Sequence, residues 1–300
     1  MIARACKGGL VRFSSWLACV LMAMACPASS QVAIAPDCRL ESGPARAVAR
    51  VIDGETVRLH DGSEVRLIGM LAPRASDVGA SRDTWPPEQA AIRALTDLLQ
   101  GHSVVLSFGG RRTDRYGRTL AQVMVEKNGK EEWVQGAMLE QGMARAYSQP
   151  DNSACLDALL AHERLAREAQ RGLWANAAYR VLAADNPEEL LSLRHTFQLV
   201  SGPIRGISRV RGQIYLNFGA RDRTAFSVVL RHATDALPRG AQLRGRIALV
   251  RGWIEQRAGP VIEIDAANQL EFMDAPAKTG WSVHNGPQKD APGEHAAGRR

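Results

Sequence analysis

The chain has 300 residues, of which 45% are hydrophobic, and a formal net charge of +7. This length is too great for one small domain and predicts two, and the hydrophobic content supplies a core for each. The basic balance favours anionic partners such as nucleic acid or a membrane surface, and it carries no information about the fold.

The first 30 residues are typical of an export signal. Three basic residues precede an apolar run over residues 16–26, and small residues follow it. Because this run is too short for an ordinary transmembrane helix, we predict a periplasmic or secreted protein with no membrane contact beyond the signal segment. An uncleaved membrane anchor and lipidation at Cys26 are the alternatives.

Two cysteines, Cys38 and Cys155, follow the signal segment. Two cysteines in an exported chain predict one disulfide, with two free thiols as the alternative. The sequence contains no CxxC pair and no cluster of His and Cys residues, so no zinc site is predicted.

Short strands and helices alternate in the first half of the chain. Polar and apolar residues alternate over three predicted strands, which tight turns at Asp53-Gly54 and Asp61-Gly62 separate. The predicted elements are strands at 48–52, 56–59, 65–70, 103–108 and 120–126, and helices at 86–100, 133–141 and 155–170. This order favours a small closed barrel of the OB type over residues 45–176.

The second half is predicted to be mainly strand. A linker over residues 177–199 includes a predicted helix at 187–196, with Asn186 as its N-cap. Strands are predicted at 202–210, 213–218, 226–230, 243–254 and 261–264. These indicate a second, smaller OB-like barrel over 200–274, so the fold class is mainly β with helices (α+β). The polar tail at 275–300 is predicted to be disordered.

The basic excess lies in the predicted second barrel. Residues 200–274 hold eleven arginines against seven acidic residues, a net charge of +4. Aromatic residues lie among these arginines: Tyr215, Phe218, Phe226 and Trp253. A basic groove with stacking aromatics is how OB barrels bind single strands. Packing in the core is the alternative, and we favour it for Phe218 and Phe226.

Three segments resemble motifs of the staphylococcal nuclease (thermonuclease) family. They are VIDGETV at 51–57, VRLIGMLAPR at 65–74 and TDRYGR at 113–118, and the G-L-W at 172–174 matches the end of the family's closing helix. Their order and spacing carry the resemblance over residues 45–176. It implies a nuclease-like OB barrel, calcium as the cofactor and nucleic acid as the partner.

The resemblance assigns roles to individual residues. Arg66 and Arg118 match the catalytic arginines that bind the phosphate, because paired guanidinium donors fit its geometry. Glu55 and Asp53 match the acidic turn, where carboxylates would ligate calcium. Arg74, Tyr116 and Tyr147 are candidate nucleic-acid contacts. Structural roles are the alternatives: salt bridges and turn hydrogen bonds for the charged residues, and packing for the two tyrosines.

The sequence departs from the family where the chemistry is concentrated. Leu71 replaces a metal carboxylate and Arg74 replaces the glutamate that acts as general base, while the turn acid is Glu55 rather than aspartate. We therefore predict a pseudoenzyme that binds nucleic acid, DNA or RNA and preferentially single-stranded, or another polyanion, and we doubt that it binds calcium. The alternatives are an active nuclease whose metal is held by Glu55, Asp53 or Asp77, and an envelope module that binds protein.

Overall fold

A computed structural model describes residues 38–78, 85–127, 129–147, 149, 151–210, 212–219, 224–231 and 243–273. The predicted export signal at 1–30 and the predicted disordered tail at 275–300 lie outside the described residues. In the described ranges, none of the helices is long and apolar enough to cross a bilayer.

The first half forms a closed barrel with three helices. In chain order it contains β1 (Glu41–Asp53), β2 (Thr56–Leu59), β3 (Glu64–Leu67), β4 (Met70–Leu71), α1 (Pro86–Leu99), β5 (Ser103–Phe108), β6 (Thr119–Lys127), β7 (Lys130–Trp133), α2 (Val134–Glu140), β8 (Arg145–Ala146) and α3 (Leu156–Glu168). The strand order is β3-β2-β1-β5-β6-β7, and an additional pairing of β3 with β6 closes a five-stranded barrel. β4 and β8 form a separate antiparallel pair.

Local sequence explains most of these elements. The Asp53-Gly54 turn forms the predicted hairpin, because Asp53 pairs with Thr56 at the end of β1 and β2. Prolines occupy the first turn of α1, where a missing backbone N–H costs nothing, and α1 buries Ala91, Leu95, Leu98 and Leu99. The predicted disulfide is present and joins Cys38 to Cys155, at the start of α3.

The second half forms a barrel-like sheet. It contains β9 (Leu182–Ala183), α4 (Pro187–Ser192), β10 (Phe197–Pro203), β11 (Gly206–Val210), β12 (Gln213–Asn217), β13 (Ser227–Leu230), β14 (Ile247–Gln256), β15 (Pro260–Ile264) and β16 (Leu270–Phe272). The order is β11-β12-β13-β15-β14-β10-β9, and β16 pairs with β14. Phe218 and Phe226 are core residues, as expected. The predicted fold class, mainly β with a nuclease-like barrel followed by a second barrel-like sheet, is confirmed.

Several boundary predictions were wrong. The predicted strand at 202–210 is two strands, because the backbone leaves the ladder at Ile204, a fully buried core residue whose N–H donates to the Arg246 carbonyl at 2.9 Å. The predicted helix at 187–196 ends at Ser192, and His195 then takes a left-handed backbone with φ 63°. Four strands were not predicted: β7, whose residues are mostly charged, and β8, β9 and β16, which have only two or three residues each.

The two halves share an apolar cluster, which we call the inter-sheet cluster. Its buried members are Ala166, Leu173, Trp174, Tyr179, Phe197, Leu199 and Leu249. Leu71, Trp85 and Tyr147 pack against it from the first half. Leu71, which the resemblance puts at a carboxylate position of the family, is therefore a packing residue at the junction of the two sheets.

Candidate nucleic-acid site in the first barrel

The turn between β1 and β2 directs Glu55 into the protein. Asp53 Oδ1 accepts a hydrogen bond from the Glu55 backbone N–H at 2.9 Å, which fixes the turn. Gly54 is required here, since a Cβ at this position would lie 2.6 Å from the Ala72 Cβ. As a result the Glu55 side chain is 1% exposed, beneath the loop that follows β4.

Both carboxylate oxygens of Glu55 are already engaged. Oε1 forms an ion pair with Arg66 Nη1 at 2.5 Å and another with Arg74 Nη2. Oε2 accepts the backbone N–H of Ala72 at 3.0 Å. Arg74, which the resemblance puts at the family's general-base position, thus reaches back to Glu55 and neutralises it.

The electrostatics of this cluster combine burial with charge pairing. Burial raises the pKa of Glu55, and the neighbouring charges of Arg66 and Arg74 oppose that rise. Burial also lowers the pKa of Arg66, although Glu55 counters it. For Arg74, the attraction of Glu55 and Asp53 outweighs burial and raises the pKa. Both guanidiniums stay protonated at neutral pH.

The loop that carries Arg74 is held from the second sheet. The backbone N–H of Arg74 donates to Asp77 Oδ2 at 3.1 Å, and Arg145 Nη2 donates to the same oxygen at 3.0 Å. Arg145 also donates to the Phe197 carbonyl at 2.5 Å, and its side chain is 3% exposed. Phe197 is the first residue of β10, so a strand of the second sheet helps to fix the position of this loop.

Arg118 and Tyr116 lie together on the loop before β6. Arg118 Nε donates to Asp114 Oδ2 at 2.7 Å, and its backbone N–H donates to Oδ1 of the same residue. Despite partial burial, these bonds lower the pKa of Asp114. The guanidinium of Arg118 lies 5.4 Å from the ring centroid of Tyr116, which is 68% exposed. The charge of Arg118 also acts on Arg66, so the two predicted phosphate contacts are neighbours.

Tyr147 lies at the junction with the second sheet. Its backbone N–H donates to the Gly69 carbonyl at 3.0 Å, and its ring meets Phe197 edge-on with centroids 5.5 Å apart. Burial raises the pKa of its hydroxyl, and the charges of Arg66 and Glu55 reach it. The structure thus gathers the predicted site residues at one edge of the first barrel, with Tyr116 as the exposed outlier.

Calcium does not fit these residues. It requires six to eight oxygen ligands, and here the Glu55 carboxylate is neutralised by two arginines while Leu71 offers no carboxylate. Across the described residues, there is no group of three or more His, Cys, Asp or Glu side chains that could hold a metal ion. The predicted pair Glu55 and Asp53 instead bonds to Arg66, Arg74 and the turn backbone.

Sequence reasoning missed two contributors to this site. Asp77 was considered only as a metal ligand, yet it bridges Arg74 to Arg145. Arg145 was not singled out, although an arginine within an otherwise apolar segment, MARAY, is a signal for a buried charge with a partner.

Comparisons with known proteins agree with this geometry. Residues 64–176 match the family model described as Staphylococcal nuclease homologue. The chain is 29% identical over 133 residues to Endonuclease YncB of Bacillus subtilis, covering 43% of this chain and 61% of that protein. It is 29% identical over 132 residues to the Thermonuclease of Staphylococcus hyicus, covering 43% of this chain and 75% of that protein. The chain therefore contains a domain of the staphylococcal nuclease type.

Proposed function

We propose that this chain is an exported nucleic-acid-binding protein that has weak or no phosphodiesterase activity and prefers single strands. The observation that carries the proposal is the pairing of the buried Glu55 carboxylate with Arg66 and Arg74. The Arg74 guanidinium lies where the family resemblance would put a calcium ion and a general base. Such a site attracts phosphate but offers no group that activates water.

Phosphate binding is supported by guanidinium groups that reach solvent. Three arginines, Arg66, Arg74 and Arg118, share one edge of the barrel with the buried Glu55 and the acids Asp53 and Asp114. Arg74 is 44% exposed and Arg118 is 26% exposed, so both reach solvent while keeping their partners. Guanidinium groups bind phosphate oxygens through paired, charge-assisted hydrogen bonds. The exposed ring of Tyr116 offers a face for a base.

Weak catalysis follows from what Arg74 cannot do. A guanidinium cannot accept a proton at neutral pH, and a positioned general base typically contributes about 10² to 10⁴ in rate. Groups that bind substrate and transition state equally well do not raise kcat. Arg74 therefore favours retention of the strand over its cleavage.

Export is supported by two features. The first 30 residues combine a basic start, an apolar run and small residues. The Cys38–Cys155 bond is of the kind that persists in oxidising compartments. We therefore place the protein in the periplasm or outside the cell.

The rival proposal, an active metal-dependent nuclease, needs carboxylates that are free to bind metal. Asp77 is the remaining candidate, and it accepts hydrogen bonds from the Arg74 backbone and from Arg145. No observation favours this rival. An envelope module that binds protein would differ in one measurable respect, because its binding would survive high salt.

The proposal is tested by fluorescence polarisation of a labelled single-stranded oligonucleotide, with calcium or with chelator, across a salt series. We expect equal affinity in both buffers and a log–log salt slope that Arg118→Gln reduces by about 0.7. Arg180→Gln is the matched control, since Arg180 is also an exposed arginine that pairs with a carboxylate, Glu189, and is not one of the predicted site residues. Binding that requires calcium, or that ignores salt, would contradict the proposal.

A further inference from the structure

We propose that the outer face of the second sheet is a binding track for a single-stranded nucleic acid, running from Trp253 beside the first-barrel site to Tyr215 and Arg205. This inference rests on the proposed function and deepens it, because it names where the strand continues after leaving the first barrel.

Strand register places the two aromatic residues on the same face. The inner face is fixed by core residues that pair across neighbouring strands: Leu216 with Val228, Val228 with Ile262, and Ile262 with Ile254. Because side chains alternate along a strand, Tyr215 and Trp253 point to the opposite, outer face. They lie on β12 and β14, which are separated by β13 and β15. Three strand spacings correspond to about 14 Å.

Trp253 connects this face to the first-barrel site. Its ring meets Phe197 with centroids 6.0 Å apart, and Phe197 in turn meets Tyr147 at 5.5 Å. Trp253 is nevertheless 43% exposed, so part of its ring is open to solvent. A base that leaves the Arg66 site past Tyr147 would find this ring next.

Tyr215 marks the other end of the track. Its hydroxyl accepts a hydrogen bond from Arg257 Nη1 at 2.7 Å and donates to Gln213 Oε1 at 3.3 Å, so its ring is held in place. It lines a groove of about 600 Å³, which Arg205 and Arg244 also line. A fixed ring beside a groove of this size can receive a nucleotide at little cost in side-chain entropy.

The charge of this groove is positive. Arg205 and Arg244 form no ion pair with any carboxylate in the part of the chain that the structure describes. Glu263 bonds to two arginines, Arg231 and Arg257, and so is more than neutralised. Glu255 shares the outer face, and its carboxylate lies 3.4 Å from His195. The surplus of guanidinium groups is suited to a phosphate backbone.

The combination of rings and charges selects nucleic acid over an acidic peptide. Carboxylates would satisfy the arginines, but a peptide carries no regular succession of planar groups for Tyr215 and Trp253. Bases stack on aromatic side chains irrespective of sequence while arginines follow the backbone. The two rings together with the groove therefore fit a single strand whose bases are unpaired.

The experiment measures binding of a long strand of about twelve nucleotides and a short one of about three by the full chain. The variants are Tyr215→Ala and Arg205→Glu with Arg244→Glu. We expect each to lower affinity for the long strand about tenfold and to leave the short strand, held by the first barrel, unaffected. Tyr215→Phe keeps the ring and should bind as the wild type. The charge-matched control is Arg93→Glu with Lys130→Glu, on the first barrel.

The outcomes separate this inference from the proposed function. If the wild-type protein binds neither strand, both fail. If it binds both strands and the groove variants bind the long strand as tightly as the wild type does, the track is wrong and the proposed function stands. If polyglutamate displaces the long strand as readily as an unlabelled strand of equal charge does, the groove is a peptide site and the inference is overturned.

Discussion

Two buried glutamates in this molecule have nearly the same bonding and different surroundings. Glu55 accepts one backbone N–H, from Ala72, and pairs with Arg66 and Arg74. Glu163 on α3 accepts the N–H of Ala146 at 2.5 Å and pairs with Arg251 at 2.9 Å and with Arg167 at 3.1 Å. Arg74 is 44% exposed, whereas Arg251, on β14 of the second sheet, is 1% exposed.

The difference teaches that the same ionic motif serves two purposes. At Glu163 the second sheet covers the pair, and Arg251 also bonds to Glu271, so the cluster holds the two sheets together. At Glu55 one arginine reaches solvent and keeps capacity for a further anion. Burial of both partners makes the Glu163 pair a structural link, whereas on the proposed function the exposed arginine makes the Glu55 cluster a binding site. The following predictions test this contrast, from the largest effect to the smallest.

Arg251→Met should be the most damaging of the charge substitutions. It leaves buried Glu163 without its main partner, and breaking a buried pair typically costs about 3 to 5 kcal/mol. The same change at Arg74 should cost about 1 kcal/mol or less, because Arg74 is 44% exposed and water can replace it. Urea unfolding of both variants measures the free energies, and equal losses would remove the distinction between sealed and open clusters.

The Cys38–Cys155 disulfide belongs to neither cluster, so its removal gives a reference value for these losses in the free energy of unfolding. The disulfide joins residues 117 apart in sequence, so replacing both cysteines by serine should lower the free energy of unfolding by about 2 to 4 kcal/mol. The measurement is urea unfolding under oxidising conditions, with the reduced wild type alongside. Identical midpoints for the wild type and the double variant would show that the bond contributes nothing to stability.

Restoring carboxylates should turn the open cluster towards catalysis. In Leu71→Asp with Arg74→Glu, Glu55 loses one arginine and gains two acidic neighbours. We expect calcium-dependent cleavage to rise at least about tenfold. The increase should be smaller than a full general base supplies, because Leu71 packs against the inter-sheet cluster and its replacement disturbs that junction. Leu71→Asn with Arg74→Gln is the uncharged control. Equal activity of the two pairs in a cleavage assay would contradict the account.

The smallest expected effect is on the pH dependence of stability. Glu55 has a raised pKa in the folded state, so its ionisation lowers the stability of the folded protein. Lowering the pH through the range between the folded and unfolded pKa values restores that stability. Charge from Arg251 and Arg167 outweighs burial and lowers the pKa of Glu271, whose contribution is therefore present above the unfolded pKa and lost as the pH falls through the folded one.

Two glutamine variants separate these opposite contributions. Glu271→Gln should flatten the loss of stability on acidification, and Glu55→Gln should steepen it. Urea midpoints from about pH 7 to about pH 4 provide the measurement. Shifts of the same sign in both variants would mean that the two carboxylates do not differ as described.

Much of the fold could be predicted because local sequence determines it. The turn at Asp53-Gly54 and the prolines that open α1 act through neighbouring residues, and Cys38 and Cys155 are the two cysteines that follow the predicted signal segment. The ion pairs could not be predicted in the same way. Arg74 reaches a glutamate 19 residues away, and Arg251 reaches one 88 residues away. Hydrophobic periodicity does not indicate which buried charged residues form ion pairs with each other.

The contacts of the site residues could not be predicted from the sequence either. Family resemblance identified Leu71 and Arg74 as departures from a carboxylate pattern, but it did not give the reason for them. Leu71 packs against the cluster that joins the two sheets, and Asp77 and Arg145 hold the Arg74 loop to β10. Both residues therefore contribute to the packing of the second sheet against the first barrel. The matched family segment does not include that sheet.

The most direct test of the central claim is a calorimetric titration of calcium into the wild-type protein and into Glu55→Gln. If the Arg74 guanidinium takes the place of the cation on Glu55, neither protein should bind calcium with measurable heat, and strand binding should be the same with and without chelator. A saturable one-to-one calcium isotherm in the wild type that Glu55→Gln abolishes would contradict the account, because it would show that Glu55 ligates metal in spite of its arginines.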